Sequence, residues 1–512
     1  MMTRAGSERA LITVAVMSAT VMQVLDTTIV NVALPHMEGQ LSASPDQITW
    51  VLTSYLVASG IFMPLTGYFT DRLGQKRYLL LSVLGFVIAS ALSGLSTSLT
   101  EIVVFRLLQG VFGASLVPLS QSILVNTYPP EERGKAMAIW GIGVMIGPIL
   151  GPTLGGYLTQ VLSWRWTFYI NVPVGIFAML AIWHAVPDTK RRPRTMDWFG
   201  LALLSFGIGG LQFVLDRGNQ DDWFDSHTIQ IAALLSVIGF LGFVWHGLVH
   251  RERSLFDLRI FRDRNFSTSS LLLAVFGLGL YGTLVLQPMM LESLLGYPTF
   301  TTGLVMAPRG IASMLSMFLV GSLINRVGAR PLITAGILLS IIGTFATTHY
   351  NLYISPFWVI WPIVVQGLGM GMIFVPLAAV AFTTLRPEQS AEAAGMYSLL
   401  RTIGSSIGIS IVTTVMTRQA RVVWNQLGGH IQPFNPSLYL YLDRLHLTPT
   451  DPRAAAVLGL ELGRQARMVA FADAFTLIAW SFVAMVPMIL LLRGSRIGAR
   501  SGTGAAPAPT TE

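Results

Sequence analysis

Long stretches of the chain carry no Asp, Glu, Lys or Arg, and this limits the fold more than any other feature. Gln47 to Thr70, Tyr78 to Thr100, Leu107 to Pro130, Ala136 to Trp164 and Trp166 to Pro187 are all free of charge. So are Trp198 to Leu215, Ser226 to His250 and Asn265 to Leu291. About 20 apolar residues in helical form span the hydrocarbon of a bilayer, so each stretch can hold one membrane helix. Pro331 to Leu385 is also uncharged, but its 55 residues would form a rod of about 80 Å against a hydrocarbon core of about 30 Å. A turn near His349, Tyr350, Asn351 and Pro356 divides it. Single charges interrupt further apolar segments: Asp26 in the first, Arg106 in the fourth, Arg309 in the tenth and Arg401 in the thirteenth. With a last span from about Phe471 to Leu492, fourteen helices are expected. Only 11% of the 512 residues are charged, against roughly a quarter in soluble proteins, so no sizeable soluble domain fits. Arg4 and Arg9 before the first segment would suit a signal peptide. Its apolar character runs on past Ala19 to Pro35 and encloses an acid, so an uncleaved helix is expected.

The net charge of +8 would suit a nucleic-acid partner, but the positions of the basic residues argue otherwise. With the N-terminus in the cytoplasm and sides alternating, inner segments hold 22 of the 33 Lys and Arg, and the short outer loops hold only Arg165 and Arg217. This is the positive-inside distribution of a multi-pass protein, with both termini cytoplasmic and no nucleic acid expected. The absence of cysteine excludes disulfides, thiolate metal sites and cysteine nucleophiles. No phosphate-cradling Gly-x-x-x-x-Gly-Lys-Ser/Thr loop is present, which argues against ATP as the energy source, and no His-Glu-x-x-His is present. The eight histidines are scattered, so no metal site and no enzyme activity are expected.

The chain repeats itself. Gly67, Asp71, Arg72, Gly74 and Lys76 recur as Gly321, Asn325, Arg326, Gly328 and Arg330 at an offset of 254. Gln109 and Gly110 recur as Gln366 and Gly367, and Gly147 and Gly151 as Gly404 and Gly408, at an offset of 257. Self-similarity at half the chain length marks a transporter built from two related bundles. The expected organisation is a six-helix bundle over 1–189, two extra spans with inner linkers over 190–264, and a six-helix bundle over 265–493. The second bundle carries a long outer loop at 417–468, and a disordered cytoplasmic tail follows at 494–512.

Several residues carry chemistry. In the second inner loop, Gly67 permits close helix approach, Asp71 can accept hydrogen bonds, and Gly74 permits a tight turn. Arg72, Lys76 and Arg77 serve at least as inside anchors. Arg106, Gln109, Gly110 and Gly113 share one face of the fourth helix, where a cation needs a partner or a polar cavity. In the fifth helix Gly143, Gly147, Gly151 and Gly155 recur every four residues beside Pro148, Pro152 and Gly156, a smooth stripe on a bent rod. Asp26 lies on a face with Gln23, and Asn31 follows near Thr27. Burial raises a carboxyl pKa and a nearby cation lowers it, so Asp26 is either a proton or substrate site or an acid held permanently by an arginine. Arg309 and Arg401 are further buried-cation candidates whose partners could be Glu292, Glu392 or Asp473. The aromatics of Trp164-Arg165-Trp166 read first as an interfacial belt.

The Gly67–Arg77 pattern resembles the signature loop of the major facilitator superfamily. Arg106 with Gln109 resembles the fourth-helix motif of its proton-coupled members. The fifth-helix Gly-Pro series resembles the antiporter motif of its exporters. The Leu25–Pro35 segment and the stretch from Trp164 to Gly175 resemble the fourteen-span drug:proton antiporters of the EmrB/QacA type. The resemblance implies an all-α membrane protein of the major facilitator fold, two six-helix bundles plus two inserted helices. It implies proton-driven multidrug efflux of amphipathic or lipophilic compounds by alternating access, without a cofactor beyond the proton gradient. Asp26, Asn31, Arg106, Gln109, Arg309 and Arg401 would couple protons to substrate, and Gly67, Asp71, Arg72, Gly74 and Arg77 would latch the bundles. A proton-coupled carrier of one metabolite, such as a sugar or siderophore, is the alternative. The resemblance also implies residence in a bacterial inner membrane, with a periplasmic membrane-fusion adaptor and an outer-membrane channel as partners. The 417–468 loop would dock that adaptor or lie on the membrane surface.

Overall fold

The computed structural model describes residues 2–193, 195–250, 257–432 and 435–492. The tail expected at 494–512 lies outside the described residues. Among them there is no strand, and fourteen helices are long and apolar enough to cross a membrane. In chain order they are α1 (Met2–Gln40), α2 (Trp50–Leu73), α3 (Gln75–Leu95), α4 (Leu99–Thr127), α5 (Arg133–Val161) and α6 (Asn171–Ala185). Next come α7 (Trp198–Arg217) and α8 (His227–Val249). The series ends with α9 (Arg264–Ser293), α10 (Thr299–Val327), α11 (Ala329–Thr347), α12 (Pro356–Ala381), α13 (Ser390–Gly428) and α14 (Pro452–Met488). Local chemistry sets their limits. Ser98 and Asp263 accept hydrogen bonds from Glu101 N and Phe266 N to open α4 and α9. Gly74 and Gly328 end α2 and α10 with φ of 85° and 89°, a region open to glycine and costly to other residues.

The first six helices pack among themselves: α1 against α4, α5 and α6, α2 against α4, and α3 against α4 and α6. Helices α9 to α14 repeat the scheme, with α9 against α13, α10 against α12, and α11 against α12 and α14. The repeated glycines work at equivalent seams. A Cβ on Gly147 would meet Val24 backbone at 2.7 Å and one on Gly404 would meet Ala274 O at 2.1 Å, so each glycine lets two helix backbones touch.

Two seams join the halves. The α5–α10 seam runs almost the whole helix length, from Gly134 against Ile324, through Gly141 against Met317, to Gly303 against Thr153. At the second seam α2 and α13 meet directly only near the end that carries residues 67–77 and 321–330, here called the loop end. There Gly395 sits on Met63 O and Gly67 on the Glu392 backbone. Towards the far end α7 packs against both helices. Thr53 Oγ1 donates to Asp216 Oδ2 at 2.8 Å, and Ser410 Oγ donates to Leu215 O at 2.8 Å. The extra helices therefore do not simply hang from a linker: α7 is a wedge between the halves, and α8 lies against it.

The expected loop at 417–468 requires correction. Helix α13 continues unbroken to Gly428, a short helix spans Pro436–Asp443, and α14 already begins at Pro452. At 39 and 37 residues, α13 and α14 measure about 58 and 55 Å, nearly twice the hydrocarbon thickness. They form a helical hairpin longer than one hydrocarbon thickness rather than an irregular loop. Ala-, Leu- and Arg-rich text from Arg453 to Met468 has high helix propensity, and Gln419 Nε2 ties the two arms by donating to Asp473 Oδ2 at 3.0 Å. Hydrogen bonds from the Arg453 side chain and backbone to Asp451, the cap of α14, hold that carboxyl below its usual range.

Candidate functional site

Asp26, 0% exposed, sits two-thirds of the way along α1. Its Oδ2 accepts from Arg106 Nη1 at 2.6 Å, and its Oδ1 accepts from Gln109 Nε2 at 2.9 Å and Asn171 Nδ2 at 2.8 Å. Arg106 also donates from Nη1 to Gln109 Oε1 at 2.8 Å and from Nε to Val51 O at 3.1 Å. Its guanidinium lies 4.3 Å from the centre of the Tyr55 ring, a cation–π contact strengthened by desolvation. Gln23 Nε2 donates to the Tyr55 hydroxyl at 2.7 Å. Four helices, α1, α2, α4 and α6, thus converge on one carboxylate. Moving two ions out of water costs several kcal/mol each, and only a complete set of partners compensates. Every oxygen of Asp26 has one.

The cluster unites Asp26, Arg106 and Gln109 and leaves Asn31 out. Asn31 is exposed and donates only to Thr27 O at 3.3 Å, because five positions on a helix turn by about 140° and carry it off the Asp26 face. Asn171 and Tyr55 are additions that charge-based reading missed, while Gln23 is the neighbour already placed on the Asp26 face. Asn171 falls within the Trp164–Gly175 motif, whose aromatics are not uniformly interfacial. Trp166 is exposed, but Trp164 is 1% exposed and donates from Nε1 to Gln40 Oε1 at 2.7 Å, so its indole belongs to the core.

In the second half, Arg309 is 5% exposed and finds none of the acids expected for it. It donates to Gln287 Oε1 at 2.9 Å, Thr283 Oγ1 at 3.2 Å and Met370 Sδ at 3.6 Å. Arg401 is half-buried rather than buried and forms no ion pair among the described residues. The acids proposed as partners are engaged or distant: Asp473 accepts from Gln419, Glu392 accepts from Asp257 N, and Glu292 is exposed.

At the loop end, Arg72 Nη1 donates to the Tyr68 hydroxyl at 2.7 Å and Arg77 lies 3.6 Å from Asp188. Asp71 O accepts from Arg192 N at 2.7 Å. Gly67 packs on Glu392 across the seam, and hydrogen bonds between the halves include Ser390 Oγ to Asn126 Oδ1 at 3.0 Å, Asn325 Nδ2 to Glu131 O at 2.6 Å, and Arg133 Nη1 to Phe382 O at 3.3 Å. The loop end is therefore closed. In the fifth-helix stripe, Cβ atoms on Gly143, Gly147, Gly151 and Gly155 would collide with α1, while Gly156 meets only Val32 Cγ1 at 3.9 Å. Pro148 and Pro152 lie inside the continuous α5. Among the described residues no three His, Asp or Glu gather as metal ligands. Gly404-Ser405-Ser406-Ile407-Gly408 has the spacing Gly-x-Ser-x-Gly, but it lies within α13 with both glycines packed on α9, not on the strand-to-helix turn that exposes a nucleophile.

Two pseudo-equivalent helical halves, the first enclosing a buried ion-paired acid, mark a membrane transporter. The chain belongs to the Major Facilitator Superfamily, whose profile matches residues 16–409. It is 34% identical to the multidrug export protein EmrB of Escherichia coli K12 over 507 residues, covering 98% of both chains. It is 35% identical to the fatty acid resistance protein FarB of Neisseria gonorrhoeae over 505 residues, covering 95% of this chain and 97% of that one. Among solved structures, the proton:xylose symporter XylE superposes with a TM-score of 0.61 at 14% identity, covering 94% of this chain and 96% of that one, a likeness of fold. It is a transport protein and not an enzyme.

Proposed function

We propose that the chain is a multidrug efflux transporter that exports amphipathic or lipophilic compounds in exchange for protons, by alternating access between its two halves. The observation that carries this reading is the buried Asp26–Arg106 pair at 2.6 Å. Asp26 and Arg106 are each other's buried counter-charge, so parting them to couple protons to export is tied to a rearrangement of α1 against α4. Similarity to multidrug export proteins over nearly the full length supports the substrate class. The crowding of basic residues at the loop end supports a cytoplasmic loop end and cytoplasmic termini in a bacterial inner membrane.

A periplasmic adaptor, continuing to an outer-membrane channel, is the proposed partner of the α13–α14 hairpin. That hairpin exposes Trp424, Tyr439, Leu440 and Leu460, large apolar side chains that a protein partner would cover. Purified protein in proteoliposomes tests the transport reading. An imposed pH gradient should drive uptake of several unrelated lipophilic dyes in inside-out orientation, and Asp26→Asn should abolish the dependence on the gradient. Uptake confined to one metabolite, or gradient-driven uptake by Asp26→Asn at the parental rate, rejects it. Replacing Tyr439 and Leu440 by Ser should abolish resistance in whole cells while vesicle transport persists.

A further inference from the structure

The two halves are equivalent in backbone but differ in charge balance at one place. In the first half Gly110 lets α4 rest on Tyr55 and Ala58. In the second half Gly367 lets α12 rest on Arg309 and Ala312 in the same way. The offsets that relate the halves place Arg309 at the Tyr55 position, Gln366 at the Gln109 position and apolar Ile363 at the Arg106 position. The first half thus holds an arginine with its acid, and the second holds an arginine alone. Arg309 has only neutral partners, and no ion pair to it exists among the described residues. Beside it Gln287 Nε2 donates to Gln366 Oε1 at 3.4 Å, which leaves Gln366 Nε2 with no acceptor although the side chain is 1% exposed. A buried cation without a counter-charge and a buried amide without an acceptor are each expensive, and one group relieves both: an anion that accepts from Arg309 and Gln366.

We propose that Arg309 and Gln366, steadied by Gln287, form an anion-recognition site in the second half that receives the carboxylate of a lipophilic organic acid. The inference rests on the efflux reading and adds a substrate class to it. Val359, Ile363 and Phe374 on the same helix are buried and apolar and bring no competing charge. A planar guanidinium takes a carboxylate by two parallel hydrogen bonds, which a neutral isostere cannot reproduce.

The test measures binding of pyrenebutyrate and of its neutral counterpart pyrenebutanol to the full-length protein in nanodiscs, by fluorescence. The native protein should prefer the acid by about tenfold or more, the worth of a charge-assisted hydrogen bond out of water. Arg309→Gln should reduce the preference to about twofold or less, and Arg309→Lys should keep part of it. Gln366→Glu supplies a tethered carboxylate to Arg309. It should lose the preference for the acid while its unfolding temperature stays level or rises, which separates occupancy of the site from failure to fold. Retention of the preference in Gln366→Glu, or no preference in the native protein, overturns the anion site. Gradient-driven transport of pyrenebutanol by the native protein, measured alongside, reports on the efflux reading alone: its failure rejects that reading whatever the acid does.

Discussion

Asp26 and Arg106 are 80 residues apart in the chain, yet their side chains meet at 2.6 Å with neither more than 1% exposed. Removing one partner strands the other charge in the core. Asp26→Asn should therefore lower stability by about 3–5 kcal/mol, and Asp26→Asn with Arg106→Gln should recover most of it, since a neutral pair leaves no buried ion. Chemical or thermal unfolding in detergent checks the first statement. Gradient-driven dye uptake checks the second half of the idea, because the double variant should fold and still fail to couple.

The glycines of α5 are not equal. A Cβ at Gly147 would lie 2.7 Å from the Val24 backbone, and one at Gly151 would lie 2.1 Å from Thr28 Oγ1, whereas Gly156 has room. Gly147→Ala should cost about 1–3 kcal/mol through overpacking and reduce transport, and Gly156→Ala should be tolerated. Melting temperature and uptake rate of the two variants, side by side, decide whether the seam or the motif as a whole matters.

Closure at the loop end can be read chemically. The protein has no native cysteine, so Asn126→Cys with Ser390→Cys, whose native side chains are 3.0 Å apart, should form a disulfide readily under mild oxidation. Adding Gly67→Leu, which forces a side chain into the Glu392 backbone, should lower the yield several-fold. A shift of about 1.4 kcal/mol in a two-state equilibrium changes its ratio tenfold. Unchanged yield means that α2 and α13 do not carry the closure.

The wedge predicts a difference between one tether and two. A disulfide joining Thr53→Cys to Asp216→Cys fixes α7 to the first half only, and a second joining Asn219→Cys to Thr417→Cys fixes it to the second half as well. The native pairs lie at 2.8 and 3.5 Å. Turnover should survive the single tether and stop with both, returning when reductant is added. Arrest by the first tether alone would mean that α7 moves against α2.

Much of the frame is legible in the residue order because lipid allows few charges. Uncharged runs mark the spans, and Gly67, Gly74, Gly321 and Gly328 mark the repeat. The pairings are less legible. Asp26, Arg106 and Gln109 each stand out, but their meeting depends on how α1 crosses α4, which no local pattern states. Asn171 and Tyr55 carry no charge to draw attention. Arg309 and Arg401 look alike as text, and only packing reveals that one is buried without an acid and the other is half-buried. The hairpin was hidden because counting uncharged residues stops at Arg418, whereas helix propensity does not.

The two seams between the halves are unlike, and this gives the molecule a direction. Along α5 and α10, glycines hold the backbones together from Gly134 to Gly303, as the spine of a book holds its pages. Along α2 and α13 the pages part, and α7 is the bookmark between them. A molecule dissolved in the membrane would meet a continuous binding on one side. On the other it would meet α7, backed by α8 and hydrogen-bonded to both halves, so the two faces of the molecule are unlike.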